Sequence, residues 1–167
     1  MPESLRTQWS EALMTLAACE DLLPRVQEVG EVVVRSLRAG GTVAFCGNGG
    51  SASQAQHFAA ELVGRFRRER QAFRALALTT DTSILTAIGN DYSFDEVFSR
   101  QVEGLLREGD VLVGLSTSGG AANICRAAEV ARQMGVTVVG LTGRDGGALS
   151  NLCDYELRVP GEMTARI

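Results

Sequence analysis

The chain has 167 residues, 45% of them hydrophobic, and a formal net charge of -4 at pH 7. That length allows one domain with a sizeable core, and the mildly acidic balance argues against a surface for nucleic acid or an anionic membrane. Every basic side chain is arginine, and the missing lysine excludes a Walker P-loop and a Schiff-base aldolase, both of which need an amine.

Leu5, Trp9, Leu13 and Leu16 recur at helical spacing and predict a first helix over 3–19. A second runs from Pro24, a favoured first-turn residue, to Leu37, where Gly40 and Gly41 stop it. Residues 1–39 either pack on the domain or form an oligomer interface. An alternation follows: strand 42–46, helix 52–67, strand 75–79, helix 82–88, helix 94–106 and strand 111–115. Helix 121–133, strand 136–141, a helical turn near 147–151 and strand 155–159 complete it. The runs TVAFC, VLVGL and VTVVGL are almost wholly apolar, as strands of a parallel sheet covered on both faces are. Ser93 and Glu96 have the spacing of a capping box. Arg65, Arg67, Arg68 and Arg70 are expected to close helix 52–67, where cations complement the helix dipole. No linker or low-complexity run divides the chain, so residues 1–167 read as a single domain.

Cys19, Cys46, Cys125 and Cys153 stand far apart, and no basic segment followed by an apolar run opens the chain. Both features predict a reduced, cytoplasmic protein. One histidine and scattered cysteines give no complete tetrahedral zinc set within the chain.

Residues 42–61, TVAFCGNGGSASQAQHFAAE, are the most informative stretch. A strand enters a loop of Gly47, Asn48, Gly49, Gly50 and Ser51, which lets backbone N–H groups approach an anion at a helix N-terminus. On that helix His57 and Glu61 are four residues apart and share a face, a possible proton-transfer or metal pair. A second unit, VLVGLSTSGGAANICRA, repeats the order strand, small-residue loop, helix, and its Ser116, Thr117 and Ser118 add hydroxyl donors. Two such loops at one sheet edge suit a phosphate near a topological switch. Gly47 to Ala52 also satisfies the dinucleotide fingerprint, but the nearest acidic residue at the second strand's end, Asp81, lies beyond the required spacing.

The segments CGNGGSASQAQHFAAELVGRF, GND at 89–91, EGDVLVGLSTSGGAAN and GLTGRDGGAL closely resemble the phosphoheptose isomerase family of SIS-domain enzymes. The resemblance implies a flavodoxin-like α/β domain with a five-stranded parallel sheet, assembled as a homotetramer with sites between subunits. It implies isomerisation of sedoheptulose 7-phosphate to D-glycero-D-manno-heptose 7-phosphate for heptose-nucleotide synthesis. By position, Asn48, Gly49, Gly50 and Ser51 with Ser116, Thr117 and Ser118 would bind sugar phosphate, and Asn90 and Asp91 would line the site. Glu61 would bind substrate and act as acid/base, and His57 with Glu61 would ligate zinc. The chain departs from the family after Thr164–Ile167, where relatives continue with a Gln and a final helix bearing a His. Ala121 stands where relatives often have a phosphate-contacting Ser. The alternative within the family is a non-catalytic tetrameric scaffold for the bacterial replication initiator, which shares AQHFAA, LTAI and DEV with this chain. Glu61-Leu62 and the S-T-S-G at 116–119 favour the enzyme.

Overall fold

The structure, a computed structural model, describes residues 4–167. Its helices and strands alternate after two N-terminal helices, α1 (Leu5–Ala18) and α2 (Leu23–Arg38), which are joined by a 3-10 turn at Cys19–Leu22. The remainder is β1 (Val43–Gly47), α3 (Gly50–Val63), β2 (Ala75–Ala77), α4 (Thr82–Asp91), α5 (Ser99–Leu105), β3 (Val111–Ser116), α6 (Ala122–Gln133), β4 (Thr137–Thr142), α7 (Gly147–Ser150) and β5 (Tyr155–Arg158).

All five strands are parallel, in the order β2-β1-β3-β4-β5. This is the flavodoxin-like arrangement, whose order reverses between β1 and β3. Successive strand residues point to opposite faces, so one strand feeds two cores. Val43 and Phe45 of β1 pack with Val32 of α2 and with Ala55 and Ala59 of α3. Ala44 and Cys46 face the other way, toward Val102 of α5 and Ile124 and Ala127 of α6.

The end of the sheet where the strands begin is closed by two carboxylates, the buried Asp110 and the exposed Asp154. Asp110 accepts main-chain hydrogen bonds from Thr42 (2.7 Å) and Arg107 (2.9 Å), and Asp154 accepts one from Val138 (2.8 Å). These bonds satisfy N–H groups that the ladder leaves free and fix where β1, β3 and β4 begin. α1 is different: Ser4 caps it by accepting from the Thr7 N–H at 3.2 Å, yet none of its residues is buried. The predicted stripe does not pack on the domain, for Leu5, Trp9, Leu13 and Leu16 are each more than half exposed.

Three sequence expectations are corrected. Helix 52–67 stops at Val63, so Arg65, Arg67 and Arg68 lie beyond it. Arg70 reaches back from farther along and donates to the carbonyls of Glu61 (2.8 Å) and Leu62 (2.9 Å), closing the helix with a folded-back side chain. Helix 94–106 is broken into a 3-10 turn at Phe94–Glu96 followed by α5. The capping box fails there because Ser93 Oγ accepts from Asp95, while the Glu96 carboxylate is taken by Ser99 and by Arg126 of α6. Strand 75–79 shortens to β2, an edge strand with a single neighbour.

Candidate active site

β1 and β3 lie side by side with Gly47 opposite Leu115, so the loops that leave them emerge together at the switch point. The first loop is shaped by glycines. A side chain on Gly47 would run into the Ser51 backbone, 2.7 Å from where its Cβ would sit, and Gly49 adopts φ 58° and ψ -120°, which costs a residue with a Cβ heavily. In the second loop Gly119 has φ 64° and backs onto Gly146. Neither α3 nor α6 has a side-chain N-cap; Ser51, Ala52 and Ile124 donate to main-chain carbonyls, and the N–H groups of Gly50, Ala122 and Asn123 remain available to an anion among the described residues. The N–H groups of Gly49, Thr117 and Ser118 also donate to no acceptor within the described residues.

Between the two loops lies a chamber of about 190 Å³ lined by Asn48, Ser51, Leu115, Ser116, Thr117, Ser118, Ala121 and Ile124. A larger cleft of about 780 Å³ shares Asn48, Ser51, Ser116 and Thr117 with it, and is otherwise walled mainly by apolar residues such as Leu22, Phe58, Leu141 and Leu157. No arginine lines either space. An anion there would be met by N–H groups, hydroxyls and two helix N-termini, which are neutral donors in a fixed geometry.

The two loops are also tied together. Asn48 Nδ2 donates to Asn123 Oδ1 at 2.9 Å, and Asn123 Nδ2 donates back to Asn48 Oδ1 at 3.0 Å. Asn123, in the first turn of α6, is only 3% exposed. Sequence reading passed over it, because an asparagine at a helix start needs no tertiary explanation.

The other sequence candidates stand apart from this cradle in one chain. His57 Nε2 and Glu61 Oε1 are 3.6 Å apart, with side chains 66% and 34% exposed, and neither lines the cleft that Gln54 and Phe58 of the same helix enter. Asn90 and Asp91 end α4, where Asn90 Nδ2 donates to Asp91 Oδ1 at 2.8 Å. An imidazole and a carboxylate are donor types that zinc accepts, but they make two of the usual four. Among the described residues no group of three or more His, Cys, Asp and Glu side chains converges.

Two groups near the cradle have displaced titrations. Burial pushes the Cys46 thiol in β1 up to about 12. Burial also works to raise Glu156 in β5, but hydrogen bonds from Arg158, Thr142 and Ser150 outweigh it and hold that carboxyl below its ordinary value. Thr142 lines the cleft, so this network braces one wall of it.

A parallel sheet of order 2-1-3-4-5 is common to flavodoxin-like folds, and the SIS domain family pattern, which matches residues 10–143 and so both small-residue loops, makes this a SIS-domain protein. Among curated proteins, the phosphoheptose isomerase of Helicobacter hepaticus is 50% identical over 167 residues, covering 100% of this chain and 85% of that one. The phosphoheptose isomerase of Rhodospirillum rubrum is 52% identical, covering 100% of this chain and 89% of that one. The solved structure of a phosphoheptose isomerase from Neisseria gonorrhoeae superposes with a TM-score of 0.91 at 45% identity, over 97% of this chain and 87% of that one. One from Francisella tularensis gives 0.94 at 37% identity over the same shares. The chain belongs to the phosphoheptose isomerase family of SIS-domain proteins.

Proposed function

We propose that the protein interconverts sedoheptulose 7-phosphate and D-glycero-D-manno-heptose 7-phosphate. The observation that carries this reading is the pair of loops at the switch point, whose neutral donors and hydroxyls face one phosphate-sized chamber that opens into a cleft. Asn48, Gly49, Gly50 and Ser51 with Ser116, Thr117 and Ser118 hold the phosphate on C7, and that remote binding orients the reacting end. Glu61 takes the proton from C1 of the ketose to give an enediol and returns it to C2. The hydroxyl proton passes in the same sense, from O1 to O2, so atoms and charge balance. Asn90 and Asp91 belong to the sugar-binding wall in this reading.

The acid/base group serves carbons at the far end of the substrate from the phosphate, so Glu61 need not line the phosphate chamber. Its exposure in a single chain fits a site completed between copies, as does the exposed apolar stripe on α1. A cytoplasmic homotetramer is part of the same reading. Among the described residues no helix is long and apolar enough to cross a membrane. Zinc, bound by His57 and Glu61 with donors from elsewhere, would supply a Lewis acid for the carbonyl oxygen.

Turnover of sedoheptulose 7-phosphate by the wild type, and its loss in Glu61→Gln, tests the assignment. Positioned general bases contribute about 10²–10⁴-fold, so that is the expected drop in kcat, with KM little changed. Near-normal turnover by Glu61→Gln would remove Glu61 from the mechanism, and a wild type inert toward the substrate would remove the activity.

A further inference from the structure

We propose that Asn123 is a positioning residue for phosphate binding, acting through Asn48 by setting the distance and orientation between the two loops. The proposal rests on the reading of those loops as a phosphate cradle.

The argument begins with what a buried amide needs. Asn123 is 3% exposed beside the buried Ile124, and an amide in such surroundings is costly unless its donor and acceptor are both used. Asn48 uses both, through hydrogen bonds of 2.9 and 3.0 Å. An apolar residue would meet the packing requirement at that position without this demand, so the amide is better explained by what it holds than by the stability it adds.

It holds Asn48, and Asn48 is a residue of the cradle. Asn48 lines both the small chamber and the larger cleft, and it immediately precedes Gly49, whose N–H is free. Asn123 sits in the first turn of α6, directly after the loop that presents Ser116, Thr117 and Ser118. The reciprocal pair is thus a side-chain bridge between the two halves of the cradle, on top of the β1–β3 ladder below it. A donor array gains its advantage over water by being fixed before the anion arrives. With the bridge cut, the loop after β1 keeps its glycine-permitted freedom and the cradle must be ordered by the ligand itself. The cost then falls on binding, and less on the chemical step.

The test is calorimetric titration of inorganic phosphate and of sedoheptulose 7-phosphate into the full chain, together with kcat and KM. It uses wild type, Asn123→Ser, Asn48→Ala and the double variant. Asn123→Ser is expected to weaken phosphate binding and raise KM about tenfold, the change produced by losing one well-placed hydrogen bond, with kcat altered less. In the Asn48→Ala background the same substitution is expected to have little further effect, because residues that act as a unit are not additive. Asn123→Asp is the second variant: it suits a helix first turn, keeps the acceptor for Asn48 and loses the return donor, and it should also weaken phosphate binding. Phosphate affinity unchanged in both Asn123 variants, or effects of Asn123→Ser and Asn48→Ala that simply add, would overturn the proposal. A wild type that binds neither phosphate compound would overturn the cradle reading itself, and this proposal with it.

Discussion

Gly119 lies against the main chain of Gly146, with no room for a side chain between them. Both have positive φ, 64° and 80°, and the contact is locked by a 2.9 Å hydrogen bond from the Leu149 N–H to the Gly119 carbonyl. A neighbouring 3.2 Å bond joins the Gly143 N–H to the Thr117 carbonyl. The loop after β4 is therefore the floor on which the second phosphate loop rests.

Gly119→Ala should push these loops apart. Overpacking of this kind costs about 1–3 kcal/mol, and the strained φ adds to it. A lowered melting temperature together with weakened phosphate binding is the expected result. Wild-type affinity in a folded Gly119→Ala variant would show that the floor does not shape the cradle.

Arg70 makes a different kind of support. Its guanidinium meets the carbonyls of Glu61, Leu62, Gly64 and Gln71, and it stacks 4.1 Å from the centre of the Phe73 ring. Arg70→Lys cannot reproduce a planar fork that reaches several acceptors. It should destabilise the fold by about 1–3 kcal/mol, the range for losing hydrogen bonds made by a charged group. Because the last turn of α3 bears Glu61, kcat should fall as well. Chemical denaturation and turnover measured side by side will check this; an Arg70→Lys variant with normal stability would mean that the cap is dispensable.

Much of this architecture could be read from local pattern. β1, β3 and β4 announce themselves as apolar runs because helices cover both faces of the sheet, and the two loops announce themselves because their glycines and hydroxyls are contiguous. The end of α3 could not be read that way, since Leu62 and Phe66 continue the helical spacing past Gly64. What stops the helix is Arg70 folding back onto its carbonyls. The Ser93 box failed for a related reason: Glu96 is claimed by Arg126 of α6, a partner that local spacing does not reveal. In the site, the His57 and Glu61 pairing was legible from their i, i+4 spacing, but what they face was not. The Asn48–Asn123 bridge spans two loops that only the β1–β3 pairing brings together.

The Glu156 network predicts an acid-side effect. Hydrogen bonds from Arg158, Thr142 and Ser150 outweigh burial and depress this carboxyl below its ordinary value of 4.5. A group whose folded pKa is lowered stabilises the fold above its unfolded pKa and loses that contribution as pH falls through the folded value. Glu156→Gln should therefore melt below wild type at neutral pH, and the gap should narrow as the pH drops below 4.5. A gap that stays constant down to the acid limit would assign the effect to packing instead.

The thiols give a simple probe. Burial pushes Cys46 and Cys153 up to about 12, so both should resist alkylation in the native state at pH 8. Cys19 lines the large cleft, and its labelling should slow when sugar phosphate is bound. Peptide mass mapping after brief labelling reads both outcomes; ligand-independent labelling of Cys19 would show that the substrate leaves that wall open.

The pairing of β1 with β3 also has a kinetic consequence. Val43 meets Val111 only after the intervening chain, including α3, β2, α4 and α5, has closed into a loop. Such long-range contacts form late and slowly, because the entropy of closure comes before any reward. A nascent or partly melted chain with only its first loop in place has half a cradle, so ligand should recognise the completed domain alone. Sugar phosphate would then raise the stability of the whole fold rather than of one segment, and would act as a sensor of correct folding.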